Sequence, residues 1–197
     1  MKLNYKILLP LLLIGTILLS ACGAADMSSG SSSGMATASA TSSKKSGFGV
    51  LDSFSAQDLN GNPVDQSIFK EKKLTMVNVW ATFCGPCINE MPDLGKLASE
   101  YSDKSVQIIG IPIDILTQNG TVDAGQLENA KKIVASTGVP YTQIQPVGEL
   151  LKLSNQIQVV PTTIFVDENG NQVGNTFTGA RSKEQWAAII DGFLKEV

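Results

Sequence analysis

From residue 48 onward, hydrophobic positions fall into short continuous runs and longer helical stripes. Leu74-Thr75-Met76-Val77-Asn78-Val79-Trp80 reads as a strand buried on both faces, interrupted only at Asn78. Val106 to Ile113 is a second such run. Between them, Met91, Leu94, Leu97 and Ala98 form one stripe of a helix predicted from about Cys84 to Tyr101, with Pro92 as a kink. Gly125 to Thr137 repeats the helical pattern and stops at Gly138, and Gly148 to Asn155 predicts a short helix. Phe54 to Phe69 holds Asn60-Gly61 between apolar positions, a hairpin signal. Thr162 to Asp167 and Gln172 to Thr178 flank Glu168-Asn169-Gly170-Asn171, a second one. Ser182 with Gln185 three residues on is a capping box. The helix it opens carries Trp186, Ile189, Ile190, Phe193 and Leu194 on one face. This order predicts an α/β domain over residues 48–197, a mixed central sheet with helices on both faces.

The chain before residue 48 has a different character. Lys2 and Lys6 precede an apolar run from Ile7 to Leu19, short for a membrane span, which needs about 20 residues. It ends Leu19-Ser20-Ala21-Cys22, which resembles the lipobox of bacterial lipoproteins. That resemblance implies a signal peptide over 1–21, with Cys22 as the lipidated residue. The plain alternative is a secretory signal or a short membrane anchor with an incidental cysteine. Residues 22–47 are dominated by serine, glycine, alanine and threonine and read as a disordered tether, roughly 25–30 Å end to end.

Composition narrows the chemistry. A formal net charge of −3 gives no basic footprint for nucleic acid. The 197 residues include no histidine and three cysteines. Serine or cysteine chemistry with a histidine base is therefore absent, as are imidazole metal sites. Setting Cys22 aside leaves one pair, Cys84 and Cys87, where a buried strand gives way to a helix. A thiol at a helix start faces unpaired N–H groups and the positive end of the dipole, which favour the thiolate that attacks disulfides. This placement makes Cys84 the nucleophile, with Cys87 one turn on to close the disulfide. A zinc site would need four ligands, and haem attachment needs histidine where Ile88 stands. No cofactor or metal is expected.

The string Trp80-Ala81-Thr82-Phe83-Cys84-Gly85-Pro86-Cys87 resembles the active site of thioredoxins. Extended from Asn78 to Pro92, and joined with Val159-Val160-Pro161-Thr162-Thr163, it is similar to the TlpA/ResA-type branch of extracytoplasmic, membrane-attached oxidoreductases. The resemblance implies a thioredoxin-like fold with an N-terminal β-hairpin and a strand–helix insertion around Val106 to Tyr141. It implies a cis Pro161 beside the cysteines, where the Val160 backbone pairs with a substrate strand. It assigns Glu90 as a partly buried proton acceptor near both thiols. Asn78 stands where thioredoxins carry a buried aspartate, so that residue's proton shuttle is excluded here. Trp80 and Phe83 are expected to form an apolar rim around Cys84, although either also fits the core. Gly85 and Pro86 complete the expected substrate surface.

These readings imply a thiol–disulfide oxidoreductase acting on exported disulfide-containing proteins, re-reduced by a membrane thiol–electron transporter. The chain is expected to be monomeric and lipid-anchored outside the cytoplasmic membrane. Apocytochrome c thiols and methionine sulfoxide reductases are candidate clients. Gly85-Pro86 is the pair of strongly reducing thioredoxins, which favours reductase over disulfide-forming oxidase. A lipid-anchored peroxiredoxin is disfavoured by Ala81 three residues before Cys84 and by the distance of Arg181, the sole arginine, along the chain. A copper chaperone is disfavoured by the lack of histidine.

Overall fold

A computed structural model describes Leu51 and residues 53–196. The signal peptide, Cys22 and the tether lie outside the described residues. Two short strands, β1 (Ser55–Gln57) and β2 (Pro63–Asp65), pair antiparallel as the expected hairpin. A four-stranded sheet is built from β3 (Leu74–Trp80), β4 (Val106–Pro112), β5 (Thr162–Val166) and β6 (Gln172–Thr178). Its order is β4-β3-β5-β6, with β3 parallel to β4 and antiparallel to β5, so the sheet is mixed. The helices are α1 (Gly85–Glu100), α2 (Ala124–Thr137), α3 (Glu149–Ser154) and α4 (Lys183–Phe193).

Both hairpin turns use one local device. Asp58-Leu59-Asn60-Gly61-Asn62 and Asp167-Glu168-Asn169-Gly170-Asn171 share the pattern Asp-x-Asn-Gly-Asn. In each, the aspartate accepts the backbone N–H groups two and four residues on, at 2.8–2.9 Å. Gly61 and Gly170 take the left-handed φ of 89° and 75° that this tight loop demands.

Side-chain alternation along the strands divides the core. Met76 and Trp80 of β3, Ile108 of β4 and Phe165 of β5 point to one face, where α1, α2 and α4 supply Met91, Leu94, Leu97, Ala130, Trp186 and Ile190. Val77, Val79, Ile109, Ile111, Ile164 and Val166 point to the other, under Phe54, Phe69 and the α3 residues Leu150 and Leu153. Helices therefore cover both faces. The predicted caps form as well. Gly138 ends α2 at φ 66°, and the Ser182–Gln185 box opens α4. Helix α1 continues through Pro92, an exposed position.

Residues 142–144 lie along the outer side of β4, with Gly110 N–H donating to Thr142 O at 2.9 Å and Ile144 N–H to Gly110 O at 2.8 Å. A Cβ at Gly110 would run into the side-chain amide of Gln143. Gln143 itself accepts the Trp80 indole N–H at 2.9 Å. The β4 edge is thus covered by a short connection rather than a regular strand. Among the described residues no helix is long and apolar enough to cross a membrane.

Candidate active site

Strand β3 ends at Trp80, and the three residues Ala81 to Phe83 carry the chain to Cys84, which is the N-cap of α1. Cys84 Sγ accepts the Cys87 backbone N–H at 3.2 Å, satisfying one of the free donors at the helix start. Cys84 and Cys87 are joined in a disulfide, with Cα atoms 5.3 Å apart. Cys87 is fully buried, whereas Cys84 retains 6% exposure. A disulfide in this position offers one sulfur to an incoming group and shields the other.

Exposed apolar residues adjoin Cys84 and the Val160–Pro161 bond along the chain. Phe83, at 77%, and Val159, at 55%, are the exposed large hydrophobic side chains of the described residues. Gly85 and Pro86 are exposed as well, and nothing lies within 4 Å of where a Gly85 Cβ would be. The Val160–Pro161 peptide bond is cis, as the resemblance implied. The β3–β5 register pairs Val79 with Thr162, which puts Pro161 level with Trp80 at the sheet edge that leads to Cys84. Trp80 corrects an expectation. It is fully buried and hydrogen-bonded to Gln143, so it supports the loop from below and offers nothing to a substrate. Its place on the α1 face of β3 dictates this.

Glu90 lies one turn beyond Cys87, on the buried side of α1, at 5% exposure. Three donors converge on its carboxylate. Asn78 Nδ2 donates to Oε1 at 3.1 Å, while the Arg181 backbone N–H and the Trp186 indole N–H donate to Oε2 at 3.1 and 3.2 Å. Burial raises the Glu90 pKa above its ordinary value, and these donors only partly counter it. Asn78 also donates to Thr163 Oγ1 at 3.3 Å, leaving its own Oδ1 buried and unpaired among the described residues. Asn78 therefore cannot carry a proton as aspartate would, but it holds the residue that can. Tyr141 is buried close enough for the Glu90 charge to reinforce the rise that burial imposes on its hydroxyl.

Arg181 corrects a second expectation. Although 91 residues from Glu90, it reaches the site, through its backbone. Its guanidinium donates to the Thr178 and Gly179 carbonyls at 3.2 and 2.9 Å and stacks about 5 Å from the rings of Phe177 and Trp186. Distance along the chain is no argument against a peroxidase. What counts is that the guanidinium is already committed to the Thr178 and Gly179 carbonyls and two rings, and that Ala81, three residues before Cys84, has no hydroxyl. Trp186 belongs to the site although its helical periodicity marks it only as core, and Thr163, quoted only as part of a motif, reaches it through Asn78. Among the described residues no three His, Cys, Asp or Glu side chains cluster as metal ligands would.

Comparison with known proteins converges on this site. Residues 49–190 match the Redoxin family. The chain is 28% identical over 145 residues to the thiol-disulfide oxidoreductase ResA of Bacillus thuringiensis, covering 73% of this chain and 74% of that one. It is 30% identical over 140 residues to ResA of Oceanobacillus iheyensis, covering 68% and 64%. A solved thiol:disulfide interchange protein of the thioredoxin family from Chlorobium tepidum superposes with a TM-score of 0.59 at 28% identity, over 72% of this chain and 93% of the other.

Proposed function

The chain belongs to the Redoxin family and is a thiol–disulfide oxidoreductase, and we propose that it serves as a reductase of exported proteins, held at the outer face of the membrane by a lipid on Cys22. The observation that carries this reading is the Cys84–Cys87 disulfide at the start of α1, adjoined along the chain by exposed apolar residues and beside a buried carboxylate. Disulfide-containing proteins are the substrates. Phe83, Val159, Gly85 and Pro86 form the apolar contact, and the Val160 backbone pairs with the client strand.

In the reduced enzyme, Cys84 thiolate attacks a client disulfide. A bond forms between Cys84 Sγ and one client sulfur, and the electron pair of the broken client bond leaves on the other, which takes up a proton. Cys87 then gives its thiol proton to Glu90 and attacks Cys84 Sγ. The second client sulfur departs with the electron pair, and Cys84–Cys87 is left oxidised. Two electrons have moved from the dithiol to the client. A membrane thiol–electron transporter restores the dithiol, and one copy of the chain suffices for every step.

Direction is read from Gly85-Pro86, the residues between the cysteines of strongly reducing thioredoxins. Equilibration of the full chain with glutathione or dithiothreitol tests it. The reductase reading expects a potential near or below about −250 mV, close to the thioredoxin value. A potential of about −120 to −150 mV would reverse the direction and make the protein a disulfide-forming oxidant.

A further inference from the structure

The loop Ala81 to Phe83 aims Cys84, yet it has little to hold it. Its own turn supplies one bond, Cys84 N–H to Ala81 O at 3.0 Å. Phe83 projects into solvent and packs no anchor. The lateral hold comes from a different part of the chain. The Thr82 backbone N–H lies between both carboxylate oxygens of Asp114, at 3.0 and 2.9 Å, and the Thr82 hydroxyl donates to Asp114 Oδ2 at 2.6 Å. Two donors of one residue on one carboxyl group form a two-point grip, which fixes direction as well as distance.

Asp114 is itself fixed on both sides. Ile113 N–H donates to Trp80 O at 2.9 Å, extending the β3–β4 ladder one step past the Trp80–Pro112 pair. Ile115 is fully buried, and its carbonyl accepts from Asp123 N–H at 2.8 Å. The carboxylate is therefore a rigid post on the sheet edge, and the loop carrying the nucleophile is tied to it.

We propose that Asp114 is a positioning residue for disulfide exchange, holding the Ala81–Phe83 loop through Thr82 so that Cys84 Sγ meets the client sulfur in line with the bond it breaks. Attack at sulfur needs the three sulfurs close to collinear, and a misplacement of about 1 Å from outside the reacting atoms is enough to lose about two orders of magnitude. Alkylation by a small reagent makes no such demand. The proposal rests on the reductase reading only for its client, since the same aim serves any disulfide that Cys84 attacks.

The test uses the full chain with insulin as client and iodoacetamide as a probe of the reduced Cys84 thiol. Asp114→Ala is expected to lower kcat at least about tenfold with KM little changed, while the alkylation rate and its pH profile stay at wild-type values. Asp114→Asn presents an oxygen to the Thr82 N–H and an N–H₂ to its hydroxyl, so it should restore kcat to within about threefold of wild type. Thr82→Val keeps the backbone bond and should fall between the two. The Thr82→Val, Asp114→Ala pair should behave like Asp114→Ala alone, because the grip is already gone. The assignment is overturned if Asp114→Ala keeps wild-type kcat, or if Asp114→Asn falls as far as Asp114→Ala, which would make the charge the agent. It is equally overturned if alkylation falls in step with exchange. Should the wild-type chain prove inert toward insulin, the reductase reading fails instead. The same variants are then ranked by the rate at which Cys84 opens the small disulfide 5,5′-dithiobis(2-nitrobenzoate).

Discussion

Replacing Cys84 by serine is expected to abolish insulin-disulfide reduction, a loss of roughly three orders of magnitude or more, because a neutral hydroxyl replaces a thiolate nucleophile. The fold should survive, since Cys84 caps α1 through one bond to the Cys87 N–H and serine oxygen can accept the same bond. Replacing Cys87 by serine is expected to give a different failure. Cys84 still attacks, but nothing buried behind it resolves the product, and client proteins accumulate in covalent complexes. The asymmetry follows from burial, for Cys84 keeps an exposed edge and Cys87 none. Non-reducing electrophoresis of cell extracts, followed by mass spectrometry of the linked peptides, checks it. Trapped partners should map to Cys84 in the Cys87→Ser chain and be absent from the Cys84→Ser chain. Undiminished insulin reduction by Cys84→Ser would end the mechanism.

The second large effect is expected at Trp186. Its side chain is fully buried against Phe165 and Phe177, with ring centroids 6.3 and 5.8 Å away, and its indole N–H bonds Glu90. Trp186→Ala should destabilise the domain by about 3–5 kcal/mol, the range for a large aromatic removed from a packed core. Trp186→Phe separates packing from polarity by keeping the ring burial and deleting one donor to the Glu90 carboxylate. Glu90 already has its pKa raised by burial, and losing a donor raises it further. A carboxyl with a raised folded pKa contributes stability that is complete below the unfolded value and is lost as pH rises through the folded value. Trp186→Phe should therefore fall further below wild type at pH 8 than at pH 4 when melting temperatures are compared. The acid limb of the exchange rate should also move to higher pH. An equal deficit at both pH values would mean that the N–H does nothing for the carboxylate.

Much of this was legible locally. The β3 and β4 runs, the Gly138 stop, the Ser182–Gln185 box and both Asn-Gly turns sit where the pattern predicts, within a residue or two. Each is encoded within a few neighbouring residues, through side-chain alternation, a cap or a left-handed turn position. Cys84 and Cys87 were legible for the same reason, since their spacing and their place at a strand-to-helix junction are local facts. Trp80 was not. A tryptophan beside an active-site motif reads equally as surface or core, and only the place of Met76 and Trp80 on the α1 face, plus the Gln143 side-chain oxygen 63 residues away, decides for the core.

The environment of Glu90 was beyond local reading altogether. Its donors come from positions 12, 91 and 96 residues distant, on β3, the turn before α4 and α4 itself. The Thr82–Asp114 grip spans 32 residues and joins the nucleophile loop to the segment after β4. Secondary structure follows from short-range sterics and periodic burial, which one segment carries alone. The pKa of a buried carboxylate and the aim of a thiol depend on which distant groups the folded sheet brings within hydrogen-bonding distance and alignment, and no single segment encodes that.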